Sequence, residues 1–464
     1  MVCDMMKSQL SKSTRCEGTK NTKEQEEPKK ACAPAGSVVV PPIVHASGTV
    51  KLPGSKSISN RALLLAALAD STTRLTGLLK ADDTDRMIES LEKLGIEIER
   101  IDEQTAIVHG CGGRIPVRAA ELFIGNAGTA ARTLTALLAF AGGRYRIDGI
   151  ARMRERPIGD LVNALRELGA NIDYEMHEGS LPLTFSPAHC TSPFVHIKGN
   201  VSSQFLTALL MVSPMIAPAE GLEIRIMGEL ISRPYVEMTV AMMRRFGATV
   251  EALPEGYRVM PGVYRSQPDY RVEADASSAS YFLALGALTG GPVTVTGVGK
   301  GSLQGDVAFA DVLRRMGAEV SYTEDSITVA RAAGVALTGV DVDCTTIPDA
   351  AMTFVPMALS CTGAVRLTGI GSWRVKETDR LKAMATEMRK FGAIVEEGED
   401  WICAARPVDG VRDAVVKTYD DHRMAMSLSL AAASGATVTV LDAGCTAKTF
   451  PEYFKVLEGL CRGA

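Results

Sequence analysis

The chain repeats one pattern of apolar and polar positions about every 70 residues, as a copied supersecondary unit does. In each copy, a segment with apolar positions three or four residues apart stops at a glycine, and β-prone residues follow. We predict that each glycine ends a helix in a left-handed conformation. The six glycines, the last in a weaker copy, are Gly95, Gly169, Gly247, Gly317, Gly392 and Gly459.

Each copy also has an earlier segment that is apolar on nearly all sides, as in residues 62–69, 134–141, 205–212 and 281–288. A helix that is apolar all round lies in a protein interior, so the pattern predicts six buried helices. A polar turn precedes each of them. If these helices run in the same direction, their free N–H groups and dipoles attract anions to one end of each domain.

The polar turns allow two interpretations. Their Ser, Asn and Asp side chains are common helix N-caps, and capping alone would explain any one of them. Capping does not explain the cations Lys56, Arg61, Arg132 and Arg423, which lie at or near the helix starts. A cation is unfavourable there unless an anion is bound, so the whole set favours a phosphate site.

A second set of loops precedes the glycine-terminated helices and carries more charge. Taken singly, such charges usually belong to solvated helix starts. Together with the cations at the buried helices they predict a cleft for small polyanions, in which Asp349 and Glu377 are the candidate acid and base. The seven cations at equivalent ends of the repeats are Lys56, Arg61, Arg152, Lys376, Arg380, Arg423 and Lys448.

Length and composition exclude several classes of function. A chain of 464 residues predicts two domains, and 50 Lys plus Arg against 54 Asp plus Glu argue against nucleic-acid binding through bulk charge. The ten cysteines show neither C-x-x-C nor metal-ligand spacing, so we expect free thiols and no metal site. No apolar stretch is long enough to span a bilayer, so no membrane association is expected.

Residues 1–42 are polar and rich in Lys, Glu, Ser and Thr, which predicts a disordered leader. They lack the apolar core of a secretory signal, and the acidic run at 23–27 weighs against a plastid transit peptide without deciding the question. We therefore expect a cytoplasmic protein, with a plastid location left open. Residues 54–57 lack the first glycine and the Gly-Lys step of a nucleotide-binding loop, so no nucleotide cofactor is expected.

Nine longer motifs, one or two in each repeat, lie at residues 52–61, 125–130, 152–159, 202–206, 275–281, 303–306, 374–380, 421–426 and 445–451. In type and order they resemble the motifs of the 5-enolpyruvylshikimate-3-phosphate (EPSP) synthase family, the 3-phosphoshikimate 1-carboxyvinyltransferases, in its glyphosate-sensitive class. The resemblance runs from about residue 43 to the C-terminus.

The resemblance implies an α/β (α+β) fold, a two-domain inside-out α/β barrel with six βαβαββ repeats, three in each domain. The first domain corresponds to residues 55–273, and the second to residues 43–54 together with 274–464. Parallel helices lie inside each domain and sheets lie outside, with the active site in the cleft between the domains. The family is also expected to be monomeric.

The resemblance further implies which residues contact the two substrates, shikimate 3-phosphate and phosphoenolpyruvate. The shikimate 3-phosphate residues are Lys56, Ser57, Arg61, Ser202, Ser203, Gln204, Ser232, Asp349, Ser372 and Lys376. The phosphoenolpyruvate residues are Lys56, Asn126, Gly128, Arg152, Gln204, Glu377, Arg380, His422, Arg423 and Lys448.

The implied reaction is the sixth step of the shikimate pathway to chorismate and the aromatic amino acids, and it needs no metal or organic cofactor. The methylene carbon of phosphoenolpyruvate gains a proton, the 5-hydroxyl of shikimate 3-phosphate attacks the resulting cation, and phosphate leaves. In the implied roles, Asp349 takes the hydroxyl proton, Glu377 delivers a proton to carbon, and Lys56 assists near the bridging oxygen.

Thr133 departs from the family, which usually has Pro at this position. Because threonine lacks the ring that fixes φ, we expect the helix that carries Gly128 to shift, which would weaken inhibition by glyphosate with a modest loss of phosphoenolpyruvate affinity. Gly128 itself is retained, so no methyl group crowds the pocket. Ser372 stands where some family members carry Asn.

Two other functions remain as alternatives. The enolpyruvyl transferases that act on UDP-N-acetylglucosamine share the fold, but their first helix motif has Lys-Asn where this chain has Lys56 and Ser57, and Cys111 is a poor match for their loop cysteine. The other alternative is a non-catalytic protein that binds phosphorylated ligands. The joint presence of Lys56, Asp349, Glu377 and Lys448 argues against it.

Overall fold

The structure is a computed structural model that describes residues 34–462. Most of the predicted leader, residues 1–33, lies outside the described residues. Its last part was predicted wrongly, because Val38–Val40 form a strand that pairs antiparallel with Val438–Val440. Three consecutive β-branched residues favour a strand, and this preference outweighs the polar character of the preceding residues.

Twenty-three strands lie in the described chain and form six small sheets. In chain order they are β1 (Val38–Val40), β2 (Gly48–Lys51), β3 (Thr72–Thr76), β4 (Ile98–Arg100), β5 (Ala106–His109), β6 (Ala119–Phe123), β7 (Arg144–Asp148), β8 (Asn171–Tyr174), β9 (Leu183–Ser186), β10 (Phe194–Lys198), β11 (Leu222–Met227), β12 (Val250–Leu253), β13 (Gly256–Val259), β14 (Tyr270–Arg271), β15 (Val293–Thr296), β16 (Glu319–Tyr322), β17 (Ser326–Ala330), β18 (Asp341–Asp343), β19 (Ala364–Thr368), β20 (Ile394–Glu397), β21 (Ile402–Ala405), β22 (Ala414–Val416) and β23 (Val438–Val440).

Five of the six sheets have four strands and share one plan, which confirms the predicted repeat. The first two strands of a unit are parallel, and the second pairs antiparallel with the fourth, which also pairs with the third. The sixth sheet has three strands, and β1 completes it from the N-terminal side. The strand orders are β14-β3-β5-β4, β6-β7-β9-β8, β10-β11-β13-β12, β2-β15-β17-β16, β18-β19-β21-β20 and β22-β23-β1.

The chain crosses between the two halves of the molecule twice. Strand β2 pairs with β15 far along the chain, whereas β14 returns to pair with β3. At the crossing the two segments run side by side, since Ser55 N donates to Glu273 O at 2.8 Å and Asp275 N donates to Pro53 O at 2.9 Å. The two connections between the halves therefore lie next to each other, as a hinge requires.

The described chain contains twelve α-helices. They are α1 (Lys56–Leu68), α2 (Asp82–Lys93), α3 (Gly128–Phe140), α4 (Gly159–Glu167), α5 (Ser203–Ile216), α6 (Arg233–Arg245), α7 (Ala276–Thr289), α8 (Phe309–Arg315), α9 (Phe354–Met357), α10 (Arg380–Lys390), α11 (His422–Ser429) and α12 (Tyr453–Arg462). Shorter 3-10 helices cover Gly305–Ala308, Ala350–Thr353, Gly371–Val375, Leu430–Ser434 and Ala443–Lys448.

The predicted interior helices are α1, α3, α5 and α7, and nearly every residue of each is buried. The equivalent helices of the last two repeats are less regular. The fifth consists of a 3-10 turn followed by the four residues of α9, because Pro356 removes a backbone donor there. The sixth, α11, continues into the 3-10 turn Leu430–Ser434.

The prediction that glycines end the second helix of each unit is confirmed for five units, in which the glycine has a φ between +84° and +106°. It is wrong for the sixth, because Gly459 lies inside α12 and the helix continues to Arg462. Tyr453, Leu457 and Leu460 form a buried stripe that spans this glycine. Their burial outweighs the cost of about 1 kcal/mol for a glycine within a helix.

Two separate hydrophobic cores divide the molecule. One contains buried residues from Ile58 to Val272, and the other combines residues 40–52 with residues 274–460. We propose domain boundaries at residues 55 and 273, which these two cores support. Among the helices of residues 34–462, none has both the length and the apolar character needed to cross a bilayer.

Candidate active site

Four interior helices begin at polar residues that act as N-caps, as the simpler interpretation of the polar turns predicts. The side chains of Ser55, Ser202, Asp275 and Asp421 each accept a hydrogen bond from a backbone N–H of the helix that follows. Helix α3 differs, because it begins after Ala127 without a side-chain cap. Capping therefore explains these side chains but leaves the nearby cations unexplained.

A cavity with a solvent-accessible volume of about 70 Å³ lies where the two halves of the molecule meet. Both halves contribute to its walls, and most of the predicted substrate residues line it. These are Lys56, Ser57, Arg61, Gly128, Ser202, Ser203, Gln204, Ser232, Asp349, Ser372, Lys376, Glu377, Arg380 and Arg423.

Four predicted residues, Asn126, Arg152, His422 and Lys448, lie beside this cavity instead of forming its wall. Lys448 Nζ donates to Asn126 O at 3.0 Å and lies 3.4 Å from Glu377 Oε1. These contacts join the two domains and bring both residues to the edge of the site.

Arg152 also bridges the domains, and each of its three side-chain nitrogens already donates one hydrogen bond to the protein. Its Nε donates to Glu377 O at 3.0 Å and its Nη2 donates to Lys376 O at 2.8 Å. Its Nη1 donates to Glu155 Oε2 at 2.9 Å. In this arrangement Arg152 positions the segment that carries Lys376 and Glu377.

Asp349 is surrounded by cations. Its carboxylate lies 3.1 Å from Arg380 Nη1, 3.2 Å from Arg423 Nη2 and 3.6 Å from Lys376 Nζ, and the Tyr235 hydroxyl lies 3.4 Å away. Burial acts to raise the pKa of Asp349, but the three cations outweigh it and hold that pKa well below its ordinary value. Asp349 is therefore ionised in the ligand-free cleft.

Glu377 is the second buried carboxylate at the cavity. Arg380 Nη2 donates to its Oε2 at 2.9 Å, and Lys448 lies close to its other oxygen. Burial acts to raise the pKa of Glu377, but Arg380, Lys448, Arg156 and Lys56 together lower it well below its ordinary value. Glu377 thus has no proton to donate until bound anions offset those cations.

Arg380 connects the two carboxylates and a third one. Its side chain is only 1% exposed, and its Nε donates to Asp421 Oδ2 at 2.7 Å while its two terminal nitrogens contact Asp349 and Glu377. The planar guanidinium suits this task because its donors point in several fixed directions.

Lys56 and Lys448 approach Asp83 from opposite domains. Each ammonium lies 3.6 Å from one oxygen of the Asp83 carboxylate, whose side chain is 3% exposed. The sequence showed Asp83 only as part of an acidic pair at the start of α2, and its role at the site was missed. Its burial beside two lysines keeps both of them at the cavity edge.

Arg61 and Arg132 are buried guanidinium groups whose hydrogen bonds go to neutral acceptors. Arg61 donates to the hydroxyls of Thr239 and Thr207 and to Ser57 O, whereas Arg132 donates to Pro157 O and weakly to Gly128 O. Burial lowers the pKa of Arg61 to about 10 and lowers that of Arg132 strongly. A buried cation without a carboxylate neighbour favours a bound anion.

Arg156 lies close to Arg132 and was missed as a site residue, although it belongs to the motif at residues 152–159. Its Nη1 donates to Asn126 O and Asn126 Oδ1, both at 3.2 Å, and its guanidinium lies against Gly128 on the cavity wall. The feature of the sequence that could have identified Arg156 is its position four residues after Arg152, about one helical turn away in the same loop.

His422 is fully buried next to the site. Among the described residues, neither of its ring nitrogens has a hydrogen-bond partner, and Nδ1 lies 3.6 Å from Asp421 Oδ1. Burial, with Lys56 and Arg423 nearby, lowers its pKa well below the ordinary value, so the imidazole is neutral. Its assignment to phosphoenolpyruvate stays a prediction.

A group with metal-ligand spacing lies away from the cavity, at Glu97, Glu99 and His109 on the exposed side of strands β4 and β5. His109 already contacts Glu99 and Thr72 through its two ring nitrogens. The carboxylates that line the cavity differ from this group, because each of them is paired with cationic side chains and not with another carboxylate.

If phosphoenolpyruvate binds here as the resemblance implies, Gly128→Ala is expected to raise its KM by roughly tenfold, since overpacking typically costs about 1–3 kcal/mol. A Cβ at Gly128 would lie 2.6 Å from Arg156 Nη2 and 3.1 Å from its Cζ, so the guanidinium must move. Steady-state kinetics check this. Gly262→Ala is the control because nothing lies near its added Cβ. An unchanged KM in Gly128→Ala would contradict the prediction.

Comparisons with known proteins agree with this site and fold. The family model for EPSP synthase (3-phosphoshikimate 1-carboxyvinyltransferase) matches residues 40–457. A 3-phosphoshikimate 1-carboxyvinyltransferase from Cellvibrio japonicus is 54% identical over 421 residues, covering 89% of this chain and 97% of the relative. Another from Paraburkholderia phytofirmans is 52% identical over 433 residues, covering 91% of this chain and 98% of the relative.

A solved EPSP synthase from Acinetobacter baumannii has a TM-score of 0.75 at 24% identity and covers 91% of this chain and 97% of its own. The enolpyruvyl transferase NikO from Streptomyces tendae has a TM-score of 0.73 at 18% identity, with the same coverage. These likenesses confirm the predicted two-domain fold of six repeats. From the family match and the identity over nearly the whole length, this chain belongs to the EPSP synthase (3-phosphoshikimate 1-carboxyvinyltransferase) family.

Proposed function

We infer that this chain transfers the enolpyruvyl group of phosphoenolpyruvate to the 5-hydroxyl of shikimate 3-phosphate, releasing phosphate and 5-enolpyruvylshikimate 3-phosphate. The observation that carries this function is the pair Asp349 and Glu377, which line one cavity and are both bound by Arg380. A reaction that removes one proton and adds another needs two such groups close together.

Shikimate 3-phosphate is proposed to occupy the part of the cavity between the N-termini of α1 and α5. The start of α5 offers its positive end, and Arg61 offers a buried charge. Asp349 and Lys376 face this region from the second domain. The other proposed contacts are Lys56, Ser57, Ser202, Ser203, Gln204, Ser232 and Ser372.

Phosphoenolpyruvate is proposed to lie near the start of α3, where Gly128 leaves room beside Arg156 and Arg132. Glu377 and Arg380 form the opposite wall. The other proposed contacts are Lys56, Asn126, Arg152, Gln204, His422, Arg423 and Lys448. Two further arginines are added to this set because both are buried at the cavity: Arg132, which the sequence indicated only as a cation near a helix start, and Arg156.

The charges of the cleft support an order of events. In the ligand-free cleft the cations keep Asp349 and Glu377 ionised. Bound phosphates and carboxylates offset those cations and raise the pKa of both groups, so that Glu377 takes up the proton it donates and Asp349 becomes a better base. Glu377 then protonates the methylene carbon while Asp349 removes the hydroxyl proton. The new methyl group afterwards returns a proton to Glu377 as the C–O bond to phosphate breaks, which restores the double bond of the enolpyruvyl group, and Lys56 stabilises the departing phosphate.

A coupled phosphate-release assay with both substrates tests the function. We expect steady release that requires both substrates, and no release when UDP-N-acetylglucosamine replaces shikimate 3-phosphate. A phospho-ligand-binding protein without catalysis would bind both substrates and release nothing. That outcome would overturn the proposed activity while leaving the fold assignment intact.

Thr133→Pro is expected to strengthen inhibition by glyphosate severalfold and to lower the KM for phosphoenolpyruvate slightly. Thr133 is buried within α3, and its Oγ1 donates to Thr129 O at 2.9 Å. A proline at this position has no hydroxyl to make this hydrogen bond, and its ring fixes φ. Inhibition constants of both proteins check this. Thr133→Ala, which removes the hydroxyl without adding a ring, is the control, and equal constants for wild type and Thr133→Pro would contradict the idea.

We also propose that the protein acts as a monomer in the cytoplasm. The cavity is formed by the two domains of one chain, so the site is complete without a second copy. Size-exclusion chromatography with light scattering tests the oligomeric state, and a stable dimer at assay concentrations would refute it.

A further inference from the structure

Tyr235 joins the buried carboxylate of Asp306 to the part-buried carboxylate of Asp349, and the two come from different loops of the second domain. Its hydroxyl donates to Asp306 Oδ2 at 2.9 Å and lies 3.4 Å from Asp349 Oδ2. Ser277 Oγ donates to the same oxygen of Asp306. Since Tyr235 belongs to α6 of the first domain, the chain of contacts exists only while the two domains are together.

Asp306 is a carboxylate that the proposed mechanism does not use. It is 4% exposed, and its Oδ1 accepts no hydrogen bond from the described residues. It lines a second, smaller cavity, with a solvent-accessible volume of about 10 Å³, behind Tyr235. The titratable and charged groups that face it are Tyr235, Asp275, Asp349 and Arg423.

We propose that Asp306 receives, through Tyr235, the proton that Asp349 removes from the 5-hydroxyl of the substrate. The inference rests on the proposed function, in which Asp349 is the base. Asp306 touches no reacting atom and acts through Tyr235, so it is a positioning residue for this proton. Its contribution is to return Asp349 to the ionised form before the hydroxyl oxygen can recapture the proton.

The transfer conserves protons and breaks two O–H bonds as it forms two. Protonated Asp349 gives its proton to the Tyr235 oxygen, and the original hydroxyl proton of Tyr235 moves to Asp306 Oδ2. Tyr235 ends as a neutral phenol, Asp349 as a carboxylate and Asp306 as a carboxylic acid. When phosphate leaves, the proton returns by the same path and the phosphate takes it up, so each turnover moves one proton from hydroxyl to phosphate.

The charges around the two carboxylates favour this direction. Burial, followed by the nearby charge of Asp349, raises the pKa of Asp306 to about 6, against the opposing effects of Ser277 and Arg423. Asp349 has three cations as neighbours, and its pKa lies well below the ordinary value. In the ligand-free cleft, a proton shared between the two groups therefore favours Asp306. Tyr235 can mediate without ionising, because burial raises its own pKa strongly.

The test compares Asp306→Asn with the wild-type enzyme in the phosphate-release assay. We expect kcat to fall by about 10²-fold, in the range of acid–base groups, with both KM values nearly unchanged. We also expect the wild-type kcat to decline at acidic pH, where Asp306 is already protonated, and this decline to be absent in Asp306→Asn. A residue with only a packing role would not remove a limb of the pH profile.

Tyr235→Phe interrupts the same path at its middle, and the double variant distinguishes a relay from two separate effects. If the path is one unit, Tyr235→Phe with Asp306→Asn costs no more than the worse single variant. Ser277→Ala should move the acidic decline to higher pH, because its hydroxyl stabilises the ionised form of Asp306. Ser280→Ala, which removes a buried hydroxyl one turn along α7 that bonds Thr353, is the packing control.

Each outcome decides the matter. A wild-type enzyme that releases no phosphate refutes the proposed function itself. An active wild type together with an Asp306→Asn variant whose kcat and pH profile are unchanged refutes the relay alone. Additive losses in the double variant also refute it, whereas equal losses with an altered pH profile support it. If Asp306→Asn fails to fold, as circular dichroism would reveal, the Tyr235→Phe and Ser277→Ala pH profiles decide the question.

Discussion

Glu377→Gln is expected to lower kcat by about 10²–10⁴-fold, because a general acid contributes about that much to a rate. Gln has nearly the same size, and its carbonyl oxygen can still accept the hydrogen bond from Arg380 that Glu377 Oε2 accepts at 2.9 Å. The substitution removes the group that donates the proton and retains the contact. We therefore expect an intact fold and substrate dissociation constants close to wild type, measured by calorimetry beside the kinetics.

The low pKa of Glu377 in the ligand-free protein leads to a second part of this prediction. Because Glu377 is ionised before substrates bind, the ternary complex has to take up a proton. Binding measured in buffers of different ionisation enthalpy should therefore show proton uptake near neutral pH, and Glu377→Gln should lower it. Uptake that is identical in the two proteins would mean that the donated proton enters elsewhere.

Asp349→Asn is the companion variant and should also collapse turnover. It leaves Arg380, Arg423 and Lys376 without their shared anion, so tighter binding of an anionic ligand would accompany the loss of kcat. If both Glu377→Gln and Asp349→Asn retained wild-type turnover, the assignment of the two carboxylates would be untenable.

The repeat was predictable because its signals are local. Glycines at helix ends, apolar helices and polar caps act within one turn or one unit, so periodicity alone predicts them. The two wrong predictions have different causes, one local and one long-range. In α12 a buried apolar stripe overrides Gly459, and at the N-terminus three valines find a partner strand about 400 residues later. Neither segment, taken alone, indicates which strand it pairs with over that distance.

The site was less predictable than the fold, because a sequence shows which residues are charged but not which charges are already matched. Arg152 stays a predicted substrate contact, and its residue type could not indicate that each of its three nitrogens also donates to the protein. Asp83 is matched to lysines of both domains, and Tyr235 reaches Asp306 across the cleft. These partners come together only through the docking of the domains, which no short-range pattern encodes.

Arg380→Gln is expected to lower the free energy of unfolding of the second domain by about 3–5 kcal/mol, the usual loss when one partner of a buried ion pair is removed. Arg380 is almost fully buried and contacts Asp349, Glu377 and Asp421, the last of which is itself fully buried. Asp349 keeps Lys376 and Arg423, and Glu377 keeps Lys448. Among the described residues Asp421 contacts no other guanidinium, so most of the cost arises there. Urea denaturation followed by circular dichroism measures the loss.

The size of the loss in unfolding free energy distinguishes a buried arginine that contacts three carboxylates from an ordinary surface ion pair. Lys455→Gln breaks the pair with Glu452 in the same domain, which is mostly exposed, and should cost less than about 1 kcal/mol. Arg380→Lys keeps the charge but not the fork of donors, so it should recover only part of the loss. A cost for Arg380→Gln no larger than that for Lys455→Gln would show that solvent or bound ions replace the guanidinium, and the three carboxylates would then not depend on Arg380.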